Sequence, residues 1–186
     1  MILYPTETLY ALGVNALDEA ELSKLYALKE RDKTKVATWL VRTVEDIRRY
    51  AEMSEKAAVI ASAFLPGKLT LVLRTLPIVA KQLCAKDGTI GFRISSDPVA
   101  QKVIEEFMAE YDAPLTCTSA NVSGLSTLGT AGEILQQFGE KAKMITKIID
   151  DGPRKGLAST IVRVMGDEVT ILREGEITER DILALL

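Results

Sequence analysis

The chain contains no histidine and only two cysteines, and these absences exclude several kinds of catalytic site. Without histidine there can be no Ser-His or Cys-His triad and no histidine general base. Cys84 and Cys117 form no C-x-x-C pair, so we expect two free thiols, no disulfide and no zinc site. No pair of acidic residues has the spacing of a metal cage, so we expect no protein-bound metal. Chemistry in this chain must therefore rest on positioning and on charge neutralisation.

Long apolar runs and an excess of positive charge are also lacking. The longest apolar run, residues 57–65, contains one serine and is too short to cross a bilayer. No basic, signal-like segment is seen at the start, so we expect a cytoplasmic protein with no membrane partner. The formal net charge of -3 argues against a surface that binds nucleic acid everywhere, yet it leaves room for a local basic cavity.

What the chain does contain is enough apolar material for one sizeable core. With 186 residues, 47% of them hydrophobic, we expect a single domain over 1–186. Strand-like and helix-like segments alternate, which predicts an α/β (α+β) fold with a twisted mixed sheet flanked by helices. The predicted helices are 19–30, 43–50, 54–64, 98–111 and 130–138, with a last helix after Thr178. The predicted strands are 2–4, 36–41, 70–74, 89–94, 115–118, 144–149, 160–164 and 169–172.

An uncharged run, residues 113–124, begins like a buried strand and ends in small polar residues. Thr118, Ser119, Asn121 and Ser123 offer short neutral donors and acceptors, and Gly124 allows a close turn of the backbone. Such a set suits the binding of phosphate or carboxylate oxygens. The alternative is a turn that merely caps a helix.

Two cations end the first predicted helix, and an arginine interrupts a later strand. Lys29 lies seven residues after Leu22, near the apolar stripe, which indicates a lysine aimed into a cavity. Alternatively, Lys29 and Arg31 interact with the helix C-terminus. Arg93 and Thr8, taken alone, are more typical of an outward strand residue and an ordinary turn.

Five segments occur in an order that points to one family. They are Tyr4–Gly13, Leu28–Arg31, Leu65–Thr70, the Thr-Ser-Ala-Asn-x-Ser-Gly block at 118–124, and Ser159–Val162 leading to 171–175. Together they resemble the YrdC/Sua5 family of threonylcarbamoyl-AMP synthases, over nearly the whole chain. The resemblance implies a YrdC-like fold around a large, positively charged cavity.

The resemblance also implies a reaction and its residues. The reaction joins L-threonine, bicarbonate or CO2, and ATP into threonylcarbamoyl-AMP, with release of pyrophosphate. The product would serve a downstream tRNA threonylcarbamoyltransferase in t6A formation, and Mg²⁺ would accompany ATP with few or no protein ligands. The polar residues implied for catalysis and the ATP phosphates are Lys29, Arg31, Ser119 and Asn121, with Arg173 as a further phosphate contact. Those implied for threonine are Thr8, Arg93 and Ser159.

Three departures from the family pattern leave other functions open. Only four residues precede Pro5, which implies a shortened first strand; Lys68 replaces the second proline of Pro-Gly-Pro, and Asp32 stands where proline is frequent. The alternatives are a non-catalytic module for RNA, double-stranded RNA included, a truncated inactive paralogue, and an enzyme that uses carbamoyl phosphate like the similar domain of hydrogenase maturation proteins. The absence of zinc-finger and acylphosphatase-like regions argues against the last. Segment 150–156 is predicted to be a solvated loop or a mobile cover over phosphates.

Overall fold

The computed structural model of the chain describes residues 1–32 and 34–186, which form ten strands, six α-helices and two 3-10 helices. The strands are β1 (Ile2–Pro5), β2 (Tyr10–Gly13), β3 (Trp39–Leu40), β4 (Leu69–Arg74), β5 (Thr89–Arg93), β6 (Leu115–Thr116), β7 (Thr118–Ser119), β8 (Lys147–Ile148), β9 (Thr160–Met165) and β10 (Glu168–Arg173). The α-helices are α1 (Glu19–Lys29), α2 (Val44–Tyr50), α3 (Glu55–Phe64), α4 (Pro98–Tyr111), α5 (Ala131–Phe138) and α6 (Glu179–Leu183). The 3-10 helices are Lys81–Leu83 and Gly139–Met144.

The predicted α/β class with mixed pairing is confirmed, and the strands divide into two sheets. A four-stranded sheet has the order β7-β2-β1-β8, and a six-stranded sheet has the order β10-β9-β4-β5-β3-β6. Both contain parallel and antiparallel pairs: β1 runs parallel to β8 and antiparallel to β2, and β4 runs parallel to β9 and antiparallel to β5.

The single strand predicted over 115–118 is where the chain passes from one sheet to the other. β6 pairs with β3 in the larger sheet, and β7 pairs with β2 in the smaller sheet. Between them, the Cys117 backbone N–H donates to the Thr38 carbonyl over 2.7 Å. The predicted strand is therefore two short strands, because no single sheet pairs with all of its backbone.

Several helix boundaries follow from local capping, as the sequence predicts. Asp18 accepts hydrogen bonds from the N–H groups of Ala20 and Glu21, so α1 begins directly after it. Thr178 forms a capping box with Asp181 at the start of α6.

Other boundaries differ from the predictions. The strand predicted over 36–41 pairs only at Trp39 and Leu40, and that over 144–149 only at Lys147 and Ile148. The first residue of the latter prediction belongs to the 3-10 helix. β2 was not predicted; it follows β1 through a tight turn in which the Thr6 N–H donates to the Leu9 carbonyl.

The core lies between the sheets and the helices and centres on three aromatic rings. Trp39 meets Tyr50 and Phe92 edge to face, with ring centroids 5.5 and 5.8 Å apart. Trp39 and Phe92 sit side by side on β3 and β5, so this packing fixes the register of the strand that carries Arg93.

Candidate active site

A cavity of about 220 Å³ lies between the two sheets and takes walls from both. Its polar lining includes Thr6, Thr8, Arg31, Thr38, Thr70, Arg93, Thr118, Ser119, Thr127, Ser159 and Arg173. Three arginines thus face the cavity, and among the described residues no carboxylate lines it. Six of the eight residues that the resemblance implies for the site meet here.

Arg93 lies at the end of β5, and its side chain is only 8% exposed. Its Nη2 donates to Glu7 Oε1 over 2.8 Å and to Thr8 Oγ1 over 2.6 Å. Its Nε is buried and has no hydrogen-bond partner. The alternative in which Arg93 points outward is therefore wrong. A buried N–H without an acceptor is costly, so this guanidinium keeps one unsatisfied donor beside the cavity.

Ser159 and Arg173 form another part of the wall, where β9 and β10 lie side by side. Ser159 Oγ and Thr70 Oγ1 share a hydrogen bond of 2.8 Å. Arg173 donates from Nε and Nη2 to the Ser159 carbonyl, over 3.0 and 2.6 Å. Burial lowers the pKa of Arg173, and the nearby charge of Arg93 lowers it further. Two like charges at one cavity favour an anionic ligand between them.

Arg31 reaches the cavity from the loop that follows α1. Its Nη1 donates to Thr118 Oγ1 over 3.1 Å, and its Nε and Nη2 donate to the carbonyls of Lys35 and Val36. The loop backbone therefore holds the guanidinium in place beside β7. Thr118 and Ser119 supply hydroxyl groups to the same part of the wall.

Lys29 and Asn121 stand behind this wall and do not line the cavity. Lys29 is buried, and its Nζ donates to the backbone carbonyls of Ser119 and Asn121. Burial lowers the pKa of Lys29 to about 7, with the charge of Arg31 as a second cause. These carbonyls belong to β7 and the turn after it, so the ammonium of Lys29 does not serve the C-terminus of its own helix.

The Asn121 side chain folds the turn after β7. Its Nδ2 donates to the carbonyls of Val122 and Leu125, and its Oδ1 accepts from Ser119 Oγ over 2.6 Å. The alternative of a turn that merely caps a helix does not fit, because Thr130 caps the next helix, α5.

Glu7, between the two threonines of Pro5-Thr6-Glu7-Thr8, was not predicted as a site residue. The Glu7 carboxylate accepts from Arg93 through Oε1 and from Ser95 Oγ through Oε2. Nothing local links Glu7 to Arg93, since 86 positions separate them. The only available signal was an acidic residue between two site threonines.

Segment 150–156 packs against the cavity wall. The Gly156 N–H donates to the Thr8 carbonyl over 3.1 Å, and the Tyr10 hydroxyl contacts the Asp150 carboxylate over 2.8 Å. A Cβ atom at Gly156 would lie 2.7 Å from the Thr8 oxygen, so glycine permits this close approach.

The positions that depart from the family pattern lie away from the cavity lining. Lys68 pairs with Glu176, and Asp32 is exposed and accepts from the Thr34 N–H over 2.9 Å. β1 pairs with β2 along all four of its residues. Cys84 and Cys117 are free thiols, and Cys117 lines the cavity.

The described residues offer neither a metal-binding cluster nor a helix that could span a membrane. Across residues 1–32 and 34–186, no group of three or more Cys, Asp or Glu side chains could hold a metal ion. In the part of the chain that the structure describes, no helix is long and apolar enough to cross a membrane.

The sequence profile of the Sua5/YciO/YrdC family, described as "Telomere recombination", matches residues 1–175. The chain belongs to the Sua5/YciO/YrdC family. A Methanocaldococcus jannaschii protein, provisionally named a threonylcarbamoyl-AMP synthase, is 35% identical over 178 residues, which cover 95% of this chain and 80% of that protein. The threonylcarbamoyl-AMP synthase of Bacillus subtilis is 30% identical over 192 residues, which cover 100% of this chain and 53% of that protein.

Among solved structures, Pyrococcus abyssi Sua5 complexed with L-threonine superposes on this chain with a TM-score of 0.88, at 30% sequence identity. The match covers 100% of this chain and 53% of that protein. This Sua5/YciO/YrdC chain therefore spans about half the length of the B. subtilis and P. abyssi proteins. Its YrdC-like fold is thus confirmed by sequence and by structure.

Proposed function

We propose that this chain is an L-threonylcarbamoyladenylate synthase, a nucleotidyltransferase, and that residues 1–186 act as one domain. The observation that carries the proposal is the buried Arg93 guanidinium, whose Nε faces no protein acceptor at a cavity that also holds Arg31 and Arg173. The names of the relatives and the threonine complex of P. abyssi Sua5 support this proposal.

Threonine would bind at Arg93. The guanidinium would form a charge-assisted pair with the amino-acid carboxylate through the donors that Glu7 and Thr8 leave unused. The hydroxyl groups of Thr8 and Ser159 would bind its polar groups. Thr8 already contacts Arg93 over 2.6 Å, so both groups are oriented before the ligand arrives.

ATP would enter as its magnesium complex and place its phosphates toward Arg31, Ser119 and Arg173. Lys29 and Asn121 would support this subsite by holding the backbone of the turn after β7. A carboxylate, a carbamate and a triphosphate bring about six negative charges together, so the arginines must offset strong repulsion.

The reaction would proceed in two steps. The threonine amine loses a proton and attacks the carbon of CO2, which forms a carbamate. A carbamate oxygen then attacks the α-phosphorus of ATP while the bond to pyrophosphate breaks. The protein would act by alignment and charge neutralisation, the two terms that dominate phosphoryl and nucleotidyl transfer. We propose that the adenylate is then consumed, in the cytoplasm, by a tRNA threonylcarbamoyltransferase that forms t6A.

The test is pyrophosphate release from ATP by the purified chain, with threonine and bicarbonate supplied together and each omitted in turn. The proposal expects release only when both are present, an adenylate of matching mass, and loss of both signals in Lys29→Ala. Folded protein that binds ATP without release would overturn the proposal. Salt-sensitive RNA binding that ATP does not displace would instead favour the RNA-binding module.

A further inference from the structure

Arg154 is a further arginine near the cavity wall, and the reaction described above does not use it. It lies in segment 150–156, and its side chain is 16% exposed. Its Nε donates to the Thr6 carbonyl over 3.0 Å, and its Nη2 donates to Asp97 Oδ2 over 3.1 Å and to Asp151 Oδ2 over 2.7 Å. Its Nη1 donates to the Asp151 carbonyl over 2.7 Å and lies 3.4 Å from the Gly152 carbonyl. One guanidinium therefore joins this segment to the turn between β1 and β2, which carries Thr6 and Thr8, and to the start of α4.

From Asp97 a continuous series of hydrogen bonds leads to Arg93. The Asp97 N–H donates to Ser95 Oγ over 3.2 Å, and Ser95 Oγ donates to Glu7 Oε2. Glu7 Oε1 in turn accepts from Arg93 Nη2 over 2.8 Å. The two cations, Arg154 and Arg93, stand at the ends of this path, and the acidic residues Asp97 and Glu7 lie between them, separated by the neutral Ser95 hydroxyl.

We propose that Arg154 is a positioning residue for the amino-acid substrate, acting on Arg93 through Asp97, Ser95 and Glu7. This inference rests on the proposed function, in which Arg93 binds the substrate carboxylate. Arg154 holds one end of the path and the Thr6 backbone. Glu7 and Thr8 occupy Arg93 Nη2, which fixes the orientation of the guanidinium beside the cavity.

Burial makes this arrangement sensitive to the loss of one member. The side chains of Asp97, Glu7 and Arg93 are 9%, 11% and 8% exposed. Inside a protein, partly satisfied polar networks are costly, and their members reorient when a partner is removed. Without Arg154, the Asp97 carboxylate loses its cation and competes for other donors, which frees Ser95 and Glu7 to move.

The capping role of Asp97 can be separated from its contact with Arg154. Asp97 Oδ1 accepts from the N–H groups of Val99 and Ala100 at the start of α4, whereas Oδ2 faces Arg154. Asparagine caps helices as well as aspartate does, so Asp97→Asn keeps the helix start and weakens only the pair with Arg154. It also leaves the Arg154 bonds to Thr6 and Asp151 in place.

The experiment measures KM for threonine and for ATP in Arg154→Ala, Arg154→Lys, Asp97→Asn and Arg49→Ala. Arg49 is the matched control, because it also forms a paired contact with an aspartate, Asp112, and does not line the cavity. We expect KM for threonine to rise about tenfold in Arg154→Ala and less in Asp97→Asn. Arg154→Lys should recover part of the loss, and KM for ATP should change less than about twofold. Arg49→Ala should match the unaltered chain.

A second readout does not depend on turnover. The ¹⁵N–¹H signal of Arg93 Nε, assigned by its loss in Arg93→Lys, should shift or broaden in Arg154→Ala and stay in place in Arg49→Ala. If the unaltered chain makes no adenylate and this signal still moves, the proposed function fails while the positioning of Arg93 stands. An unmoved signal overturns the positioning role, as does an equal rise of both KM values, which would indicate a merely structural effect.

Discussion

Lys29 and Asn121 are joined across the fold by a hydrogen bond of 2.8 Å from Lys29 Nζ to the Asn121 carbonyl. A second hydrogen bond links the same two segments: the Ser123 N–H donates to the Lys29 carbonyl over 2.8 Å. The last turn of α1 therefore holds the turn after β7 from both its side chain and its backbone. Both acceptors of Nζ are neutral carbonyls, so these two bonds bring no negative charge to the buried ammonium.

The first prediction concerns the pH dependence of stability. The pKa of Lys29 is about 7 in the folded chain, against an ordinary value of 10.5. Between these values the unfolded state binds more protons than the folded state, so the contribution of Lys29 to the free energy of unfolding rises with pH. Below pH about 7 both states are protonated, and the full penalty of burial remains.

The measurement is denaturant unfolding of the chain and of Lys29→Met, from about pH 6.5 to about pH 9.5. We expect the stability of the unaltered chain, relative to Lys29→Met, to increase steadily over this interval. Subtracting the variant removes the titration of other groups. A difference that stays constant with pH would show that Lys29 keeps its ordinary pKa.

The second prediction concerns Gly156. An added Cβ would lie 2.7 Å from the carbonyl oxygen of Thr8 and 2.9 Å from the Cα of Thr8. Gly156→Ala must therefore push segment 150–156 away from the turn between β1 and β2. We expect stability to fall by about 1–3 kcal/mol, as for other overpacked sites. KM for threonine, measured by pyrophosphate release, should rise.

Gly132→Ala is the control for this change. Gly132 lies in α5, and an added Cβ there would meet nothing within 4 Å. Alanine should leave KM unchanged and stabilise the helix by about 0.5–1 kcal/mol. Equal behaviour of the two alanine variants would contradict the close packing of segment 150–156.

The third prediction separates support of the turn from direct ligand binding. Asn121→Asp has the same shape, but it places an oxygen against the carbonyls of Val122 and Leu125, where Nδ2 now donates over 2.9 and 2.8 Å. We expect a loss of about 2–3 kcal/mol in unfolding free energy, because two acceptors would face each other in a buried place.

Asn15→Asp is the matched control. There the side chain uses Oδ1 to accept from the Leu17 N–H, a bond that aspartate keeps. Asn15→Asp should lower the free energy of unfolding by less than about 1 kcal/mol in the same denaturant measurement. If Asn121→Asp is as stable as Asn15→Asp yet loses turnover, Asn121 contacts the substrate and its role is more than support.

Part of this molecule could be read directly from its residues. The helices that begin after Asp18, Thr43 and Ser54 follow the predictions closely, because capping and helical periodicity act within a few residues. The hairpin of β9 and β10 is local in the same sense. Lys29 was predicted from its spacing to Leu22 to be aimed into a cavity; it is buried, but it lies behind the cavity wall.

The division of 115–118 between two sheets could not be predicted, because it depends on which distant strands lie beside each half. The same holds for the different positions of Lys29 and Arg31. Only one residue, Glu30, separates them, yet Arg31 lines the cavity and Lys29 lies behind its wall. The local pattern treats both as cations at a helix end.

The sequence by itself determined the fold class, the helix starts and the family, since these follow from short-range patterns and ordered motifs. Only the tertiary structure decided that Glu7, Ser95, Asp97 and Arg154 form one series of hydrogen bonds that ends at Arg93. The contacts from Glu7 to Arg93 and from Asp97 to Arg154 span 86 and 57 positions of the chain. Such pairs form because sheet pairing and core packing bring distant segments together, and no local propensity carries that information.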